Sequence, residues 1–192
     1  MPRWLGVPGD PRNMICPTAA VIVIDVQRAC YCTVPPPHDA DGTVRRINQV
    51  TRAARAAGRP VIFVQHCDTE EFVPDSEQWQ LHPDLVQEPC DRYVRKTACD
   101  AFYATELDQL LRGLGVDTLV LTGYATEFCF DSTLRNGASR GYRIVVVADG
   151  HTTKDRPILR AEQIKAHHNW VWGNFISRDG VELLDAADAV FA

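Results

Sequence analysis

Seven cysteines, at positions 16, 30, 32, 67, 90, 99 and 129, carry the most nucleophilic side chains of this 192-residue chain. An odd number cannot pair completely within one chain, and the scatter lacks the repeated close pairs of a structural zinc site. Reduced thiols and a cytoplasmic location are therefore expected. Cys129 stands where a thiol gains reactivity. It lies in Thr122-Gly123-Tyr124-Ala125-Thr126-Glu127-Phe128-Cys129-Phe130, where small residues permit a tight strand-to-helix turn, Thr126 can cap the helix and Cys129 falls in the first turn. The partial positive charge of a helix start and its unpaired N–H groups favour a thiolate there. A plainer reading, a buried cysteine acting as a small hydrophobe, stands beside it.

A thiol that attacks a carbonyl needs a base for its proton, a positive charge near the sulfur and backbone donors for the oxyanion. Asp25 directly follows the apolar run Ala19-Ala20-Val21-Ile22-Val23-Ile24, and Lys96 follows the strand-like Arg92-Tyr93-Val94-Arg95. Alone, each also reads as a loop acid or a solvated lysine. Together with the Ala125 to Cys129 turn they could supply all three parts.

The elements that would bring them together are legible as a pattern. Four runs, Ala19 to Ile24, Val61 to Val64, Thr118 to Leu121 and Ile144 to Val147, are apolar without alternation, as strands buried on both faces of a parallel sheet are. Helical spacing fills the gaps. Val44, Ile47, Val50, Ala54 and Ala57 share a face before Gly58, and Thr105 precedes Leu107, Leu110, Leu111 and Leu114 before Gly115. Thr126 opens a helix with Phe130, Leu134 and Ala138 on one face. Pro157 suits the first position of a last helix carrying Ala161, Ile164, His168, Val171 and Phe175. The expectation is an α/β fold, a three-layer αβα, Rossmann-like open parallel sheet with helices on both faces, whose ligands sit at the carboxyl ends of the strands. Residues 1–18 read as an N-terminal arm and 19–192 as one domain. The stretch from His66 to Tyr93 has the weakest periodicity and reads as a long excursion over the sheet edge.

Composition narrows the function classes. The chain is 45% hydrophobic and 23% charged, an ordinary globular balance. Twenty Lys and Arg against twenty-five Asp and Glu give a net charge of −5, without the basic face of a nucleic-acid binder. The longest early apolar run ends at Asp25, too short for a membrane helix or a signal-peptide core. Nucleic-acid and membrane partners are not expected.

Three ordered motifs carry a resemblance: Val21-Ile22-Val23-Ile24-Asp25-Val26-Gln27, then Lys96 with Asp100, Phe102, Thr105 and Leu107, then Gly123-Tyr124-Ala125-Thr126-Glu127-Phe128-Cys129. From about Ala19 to the C-terminal region the chain resembles the isochorismatase-like cysteine hydrolases, a superfamily that includes nicotinamidases, carbamoylsarcosine amidohydrolases, ureidoacrylate and biuret hydrolases and streptothricin hydrolases. The resemblance implies a catalytic triad of Asp25, Lys96 and Cys129. Asp25 would move the proton, Lys96 would stabilise the thiolate and Cys129 would form a thioester. It also implies a cis bond between Tyr124 and Ala125, and an oxyanion hole made by the N–H groups of Ala125 and Cys129.

Departures from the family refine this. The metal-binding Asp-x-His pattern of nicotinamidases is replaced by His66-Cys67-Asp68 and His82-Pro83-Asp84, and Cys30 with Cys32 lacks a second pair, so no metal and no cofactor are expected. Many members continue Asp-x-Gln with Asp-Phe, whereas this chain reads Arg28-Ala29-Cys30, so Tyr31 or Trp79 is left to replace an aromatic wall. Gln27, Tyr31, Trp79 and Tyr124 are the candidate substrate contacts, and Cys30 is a candidate pocket wall. Ala166-His167-His168-Asn169-Trp170 resembles a segment of a subset of these hydrolases and reads as packing or subunit contact. His151 lies near the crevice. The resulting expectation is a metal-independent hydrolase of a small amide, lactam or ureido compound, assembled as a dimer or tetramer. The alternatives are a non-catalytic oligomeric binding protein and an isochorismatase that cleaves a vinyl ether.

Overall fold

The computed structural model describes residues 14–192. Most of the expected arm, residues 1–13, lies outside that range, while Ile15 is buried and bridges to Phe191. Among the described residues the chain forms a parallel sheet of six strands, β1 (Ala19–Ile24), β2 (Val61–His66), β3 (Arg92–Lys96), β4 (Thr118–Tyr124), β5 (Arg143–Thr152) and β6 (Val181–Leu184). Their order is β3-β2-β1-β4-β5-β6. The chain thus builds outward from β1 in one direction, returns, and builds outward from β4 in the other. The reversal falls between β1 and β4, where Ile24 pairs with Gly123. A crevice at the carboxyl ends of such a strand pair is where open α/β sheets bind ligands.

The four unbroken apolar runs form β1, β2, β4 and β5, with β1 buried along its whole length. Successive side chains point to opposite faces. Val21 and Val23 therefore meet Val44, Ile47, Val50 and Ala54 of α2 (Ala40–Ala56) on one face. Ala20, Ile22 and Ile24 meet the other helical layer, α3 (Leu107–Gly113), α4 (Asp131–Ser139) and α5 (Ala161–Gly173), through Leu107, Leu111, Leu134 and Trp172. This is the expected three-layer arrangement. Gly58, Gly115 and Gly141 take positive φ where α2, α3 and α4 end.

Several local expectations are corrected. A single helical turn, α1 (Arg28–Tyr31), follows β1, too short to leave a periodic signal. The last helix begins at Ala161 rather than Pro157, because Asp155 Oδ1 accepts the Ala161 N–H at 2.9 Å and fixes the start. The edge strand β6 has no counterpart among the expected elements, and β5 runs on through Thr152, which places His151 inside a strand. The excursion spans residues 67–91, lies against the edge strand β3 through Trp79 and Arg95, and also folds back onto the segment after Asp25. Arg28 N–H bonds Gln80 O at 2.8 Å, Ala29 N–H bonds Gln78 O at 2.9 Å, and His82 N–H bonds Val26 O at 2.8 Å.

Candidate active site

The reversal point brings Asp25, Lys96 and Cys129 together. Asp25 follows the last residue of β1 with φ of 49°, a left-handed conformation that aspartate tolerates better than most residues. Gly123 at the facing end of β4 has φ of 123°, and a Cβ there would stand 2.1 Å from the Ile24 carbonyl oxygen. Only glycine lets the two strand ends approach this closely. Lys96 ends β3, two strands from β1, and its side chain is fully buried. Its ammonium donates to Asp25 Oδ2 at 2.7 Å, to Cys129 Sγ at 3.3 Å and to Ala98 O at 3.1 Å. All three donors of an ammonium are thereby used. Asp25 Oδ1 is buried and has no hydrogen-bond partner among the described residues.

These contacts set the charges. Burial disfavours the Lys96 ammonium, but Asp25 and Cys129 outweigh it and leave its pKa above the ordinary lysine value. Burial and then the Asp25 carboxylate push the Cys129 thiol well above the usual cysteine range, with Lys96 acting in the opposite sense. Burial and the Asp25 carboxylate thus favour the neutral thiol against the pull of Lys96 and of the helix start.

The turn that carries the sulfur also differs from an ordinary helix start. Thr126–Phe130 is one π-helical turn, and the Ala125 carbonyl accepts from Phe128 N–H at 3.0 Å and Phe130 N–H at 3.2 Å. Such single π turns are frequent at functional sites. The Tyr124–Ala125 peptide is cis. The Ala125 N–H finds no acceptor among the described residues. Thr126 does not cap; its hydroxyl is 2.9 Å from His151 Nδ1.

The sequence pattern of the isochorismatase domain matches residues 19–170. This chain belongs to the isochorismatase family. It is 37% identical over 145 residues to streptothricin hydrolase of Streptomyces noursei, an alignment covering 74% of this chain and 58% of that protein, so the chain spans well under two thirds of that relative's length. It is 32% identical over 204 aligned positions to a ureidoacrylate amidohydrolase RutB of Methylorubrum extorquens, covering 84% of this chain and 82% of that one. A crystal structure described as an isochorismatase family protein superposes with a TM-score of 0.81 at 33% identity, covering 88% of this chain and 98% of its own.

Around this isochorismatase-family site the remaining candidates divide. Tyr31 and Tyr124 pack with ring centroids 5.8 Å apart, and the Tyr31 hydroxyl is buried without a partner among the described residues. Gln27 is spent on structure. Its amide donates to His66 O at 3.1 Å and Trp79 O at 2.8 Å and accepts the His66 N–H at 2.8 Å, tying β1, β2 and the excursion together. Trp79 is spent likewise, with its indole N–H on Cys67 Sγ at 3.2 Å and Arg95 stacked on its ring at 4.6 Å. His66 packs edge-on against Phe72 and His82 edge-on against Tyr31. No three His, Cys, Asp or Glu side chains among the described residues converge as a metal site requires. These residues do not fit a metal ion.

Sequence reasoning missed one feature beside the nucleophile. Glu127, two residues before Cys129, accepts from Arg156 Nε at 2.6 Å and Thr153 Oγ1 at 2.9 Å. Arg156 also lies 5.1 Å over the Phe128 ring. These contacts tie the turn to the chain leaving β5. An acid 29 positions from its arginine leaves no local signal.

Proposed function

We propose that this isochorismatase-family hydrolase cleaves a carbon–nitrogen bond of a small amide, lactam or ureido compound through a Cys129 thioester. The observation that carries the reading is the Lys96 ammonium shared between Asp25 Oδ2 and Cys129 Sγ, with Asp25 Oδ1 left buried and unpartnered. An unpaired carboxylate oxygen beside a neutral thiol is a base with its acceptor free.

Asp25 takes the thiol proton as the sulfur attacks the substrate carbonyl carbon. Lys96 stabilises the thiolate formed in that step, and the N–H groups of Ala125 and Cys129 bind the oxyanion. Collapse of the tetrahedral intermediate breaks the carbon–nitrogen bond, and Asp25 returns the proton to the leaving nitrogen. Water, deprotonated by Asp25, then hydrolyses the thioester and the thiol is regenerated. Tyr31 and Tyr124 wall the substrate pocket. The printed names of the two relatives, a streptothricin hydrolase and a ureidoacrylate amidohydrolase, support the substrate class.

One domain from residue 19 onward, assembled as a dimer or tetramer, completes the reading. The exposed apolar residues Ile158, Trp170 and Ile176 support the assembly, and light scattering measures it.

Screening small amides and ureido compounds for ammonia release, with and without a chelator, tests the function. Turnover is expected in both arms and is expected to vanish in Cys129→Ala with the fold retained. Unchanged release by that variant would sink the thioester.

A further inference from the structure

The nucleophile turn is held from behind by a chain of hydrogen bonds that the mechanism above does not use. His151 is completely buried within β5, with Phe130 and Trp172 packed against its ring, each 5.1 Å away. Its Nε2 is 3.0 Å from Asn169 Oδ1, and Asn169 Nδ2 donates to Ala148 O at 3.1 Å. That second bond fixes the amide orientation, so Asn169 presents an oxygen to the ring and His151 carries its proton on Nε2. Nδ1 is then an acceptor. Thr126 Oγ1, at 2.9 Å and also fully buried, must donate to it. Burial pushes the His151 pKa down to about 3, so the ring is neutral and this direction of donation persists across the working pH range.

The consequence lies in what Thr126 does not do. A threonine at a helix start ordinarily accepts the N–H two or three residues on, and three residues after Thr126 is Cys129. Here Ala125 holds the cap position, and the Thr126 hydroxyl is turned toward β5, with His151 as its partner. We propose that His151 and Asn169 are positioning residues that draw the Thr126 hydroxyl away from the turn and so keep the Cys129 N–H, beside that of Ala125, open to the oxyanion. The inference rests on the thioester reading. It also assigns a role to the Asn169 of the His167-His168-Asn169 segment: a link from α5 to the nucleophile turn.

Two reagents separate this role from a merely structural one. Acetylation of Cys129 by p-nitrophenyl acetate passes through a tetrahedral oxyanion and releases p-nitrophenolate, whereas alkylation by iodoacetamide displaces iodide and forms none. Both are read at Cys129 by peptide mass spectrometry, because other cysteines also react. Removing an oxyanion donor typically costs about 10²- to 10³-fold, so releasing the Thr126 hydroxyl onto the Cys129 N–H in His151→Phe is expected to slow acetylation at least about tenfold. Alkylation should stay within about twofold of wild type, and adding Thr126→Val, which has no hydroxyl to take that N–H, should restore acetylation. Asn169→Ala, which leaves His151 in place, should show the same split in weaker form and serves if His151→Phe does not fold. Acetylation that is unchanged, or that falls only in step with alkylation, overturns the inference. A wild-type Cys129 acetylated no faster than exposed Cys99 overturns the thioester reading itself, and the inference with it.

Discussion

Two buried ion pairs, both made by residues far apart in sequence, show how the same interaction serves opposite ends. Arg55 of α2 meets Asp91, just before β3, through Nε at 2.9 Å to Oδ1 and Nη2 at 2.8 Å to Oδ2. The Asp91 side chain is wholly buried, and Oδ2 also accepts the Glu88 N–H at 2.7 Å. Arg55 further donates to Val86 O and Thr51 Oγ1. Both carboxylate oxygens are used, in the planar two-pronged geometry that arginine favours. The pair of Asp25 and Lys96 is equally buried, yet it is one-pronged, shares its ammonium with a thiol and leaves one carboxylate oxygen empty. A structural ion pair exhausts its hydrogen-bonding capacity, and a chemical one keeps some in reserve. Burial alone does not tell them apart.

Substitutions at the two aspartates should separate the roles. Asp25→Asn is expected to cut amide turnover by about 10⁴-fold, the scale on which loss of a catalytic carboxylate acts. The same change removes a field that raises the Cys129 pKa while Lys96 remains, so alkylation of Cys129 at neutral pH should become faster than in wild type. A slower reaction would show that Asp25 does not hold the resting thiol neutral. Asp91→Ala should do the reverse. It leaves Arg55 buried without its partner and should cost about 3 to 5 kcal/mol of unfolding free energy in urea titrations, with turnover per folded molecule unchanged. Replacing both partners together, Arg55→Met with Asp91→Leu, should recover most of that loss.

A smaller effect belongs to His151. Its folded pKa of about 3 lies below the unfolded value of 6.5. Between those values the unfolded chain holds a proton that the folded chain does not, so stability rises with pH and is lost on acidification, by up to roughly 1.4 kcal/mol per pH unit. Urea midpoints compared at pH 7 and pH 5 should fall less in His151→Phe than in wild type. An equal fall in both would remove His151 as the cause.

What was legible in the sequence follows from locality. An unbroken apolar run such as Val21 to Ile24 has few places to go except a strand covered on both faces, and the spacing of Val44, Ile47, Val50 and Ala54 fixes a helix face without reference to its partner. Asp25, Lys96 and Cys129 stand out because each follows a strand-like run. Gln27 and Trp79, read as substrate contacts, instead hold the scaffold together through bonds that span 39 and 12 residues, and no short window records such a bond. The π turn, the Glu127–Arg156 pair and the His151 chain are hidden for the same reason.

By itself, then, the sequence determined the layers of the fold, the family and the three side chains at strand ends, because hydrophobic periodicity and motif order are properties of short segments. Only the tertiary structure decided what those side chains are to one another. Strand order carries Lys96 across β2 to Asp25, the Gly123 contact closes β4 on β1, and the low dielectric of the buried crevice favours the Cys129 thiol over the thiolate. Distance and desolvation set charge, and neither is written in the order of residues along the chain.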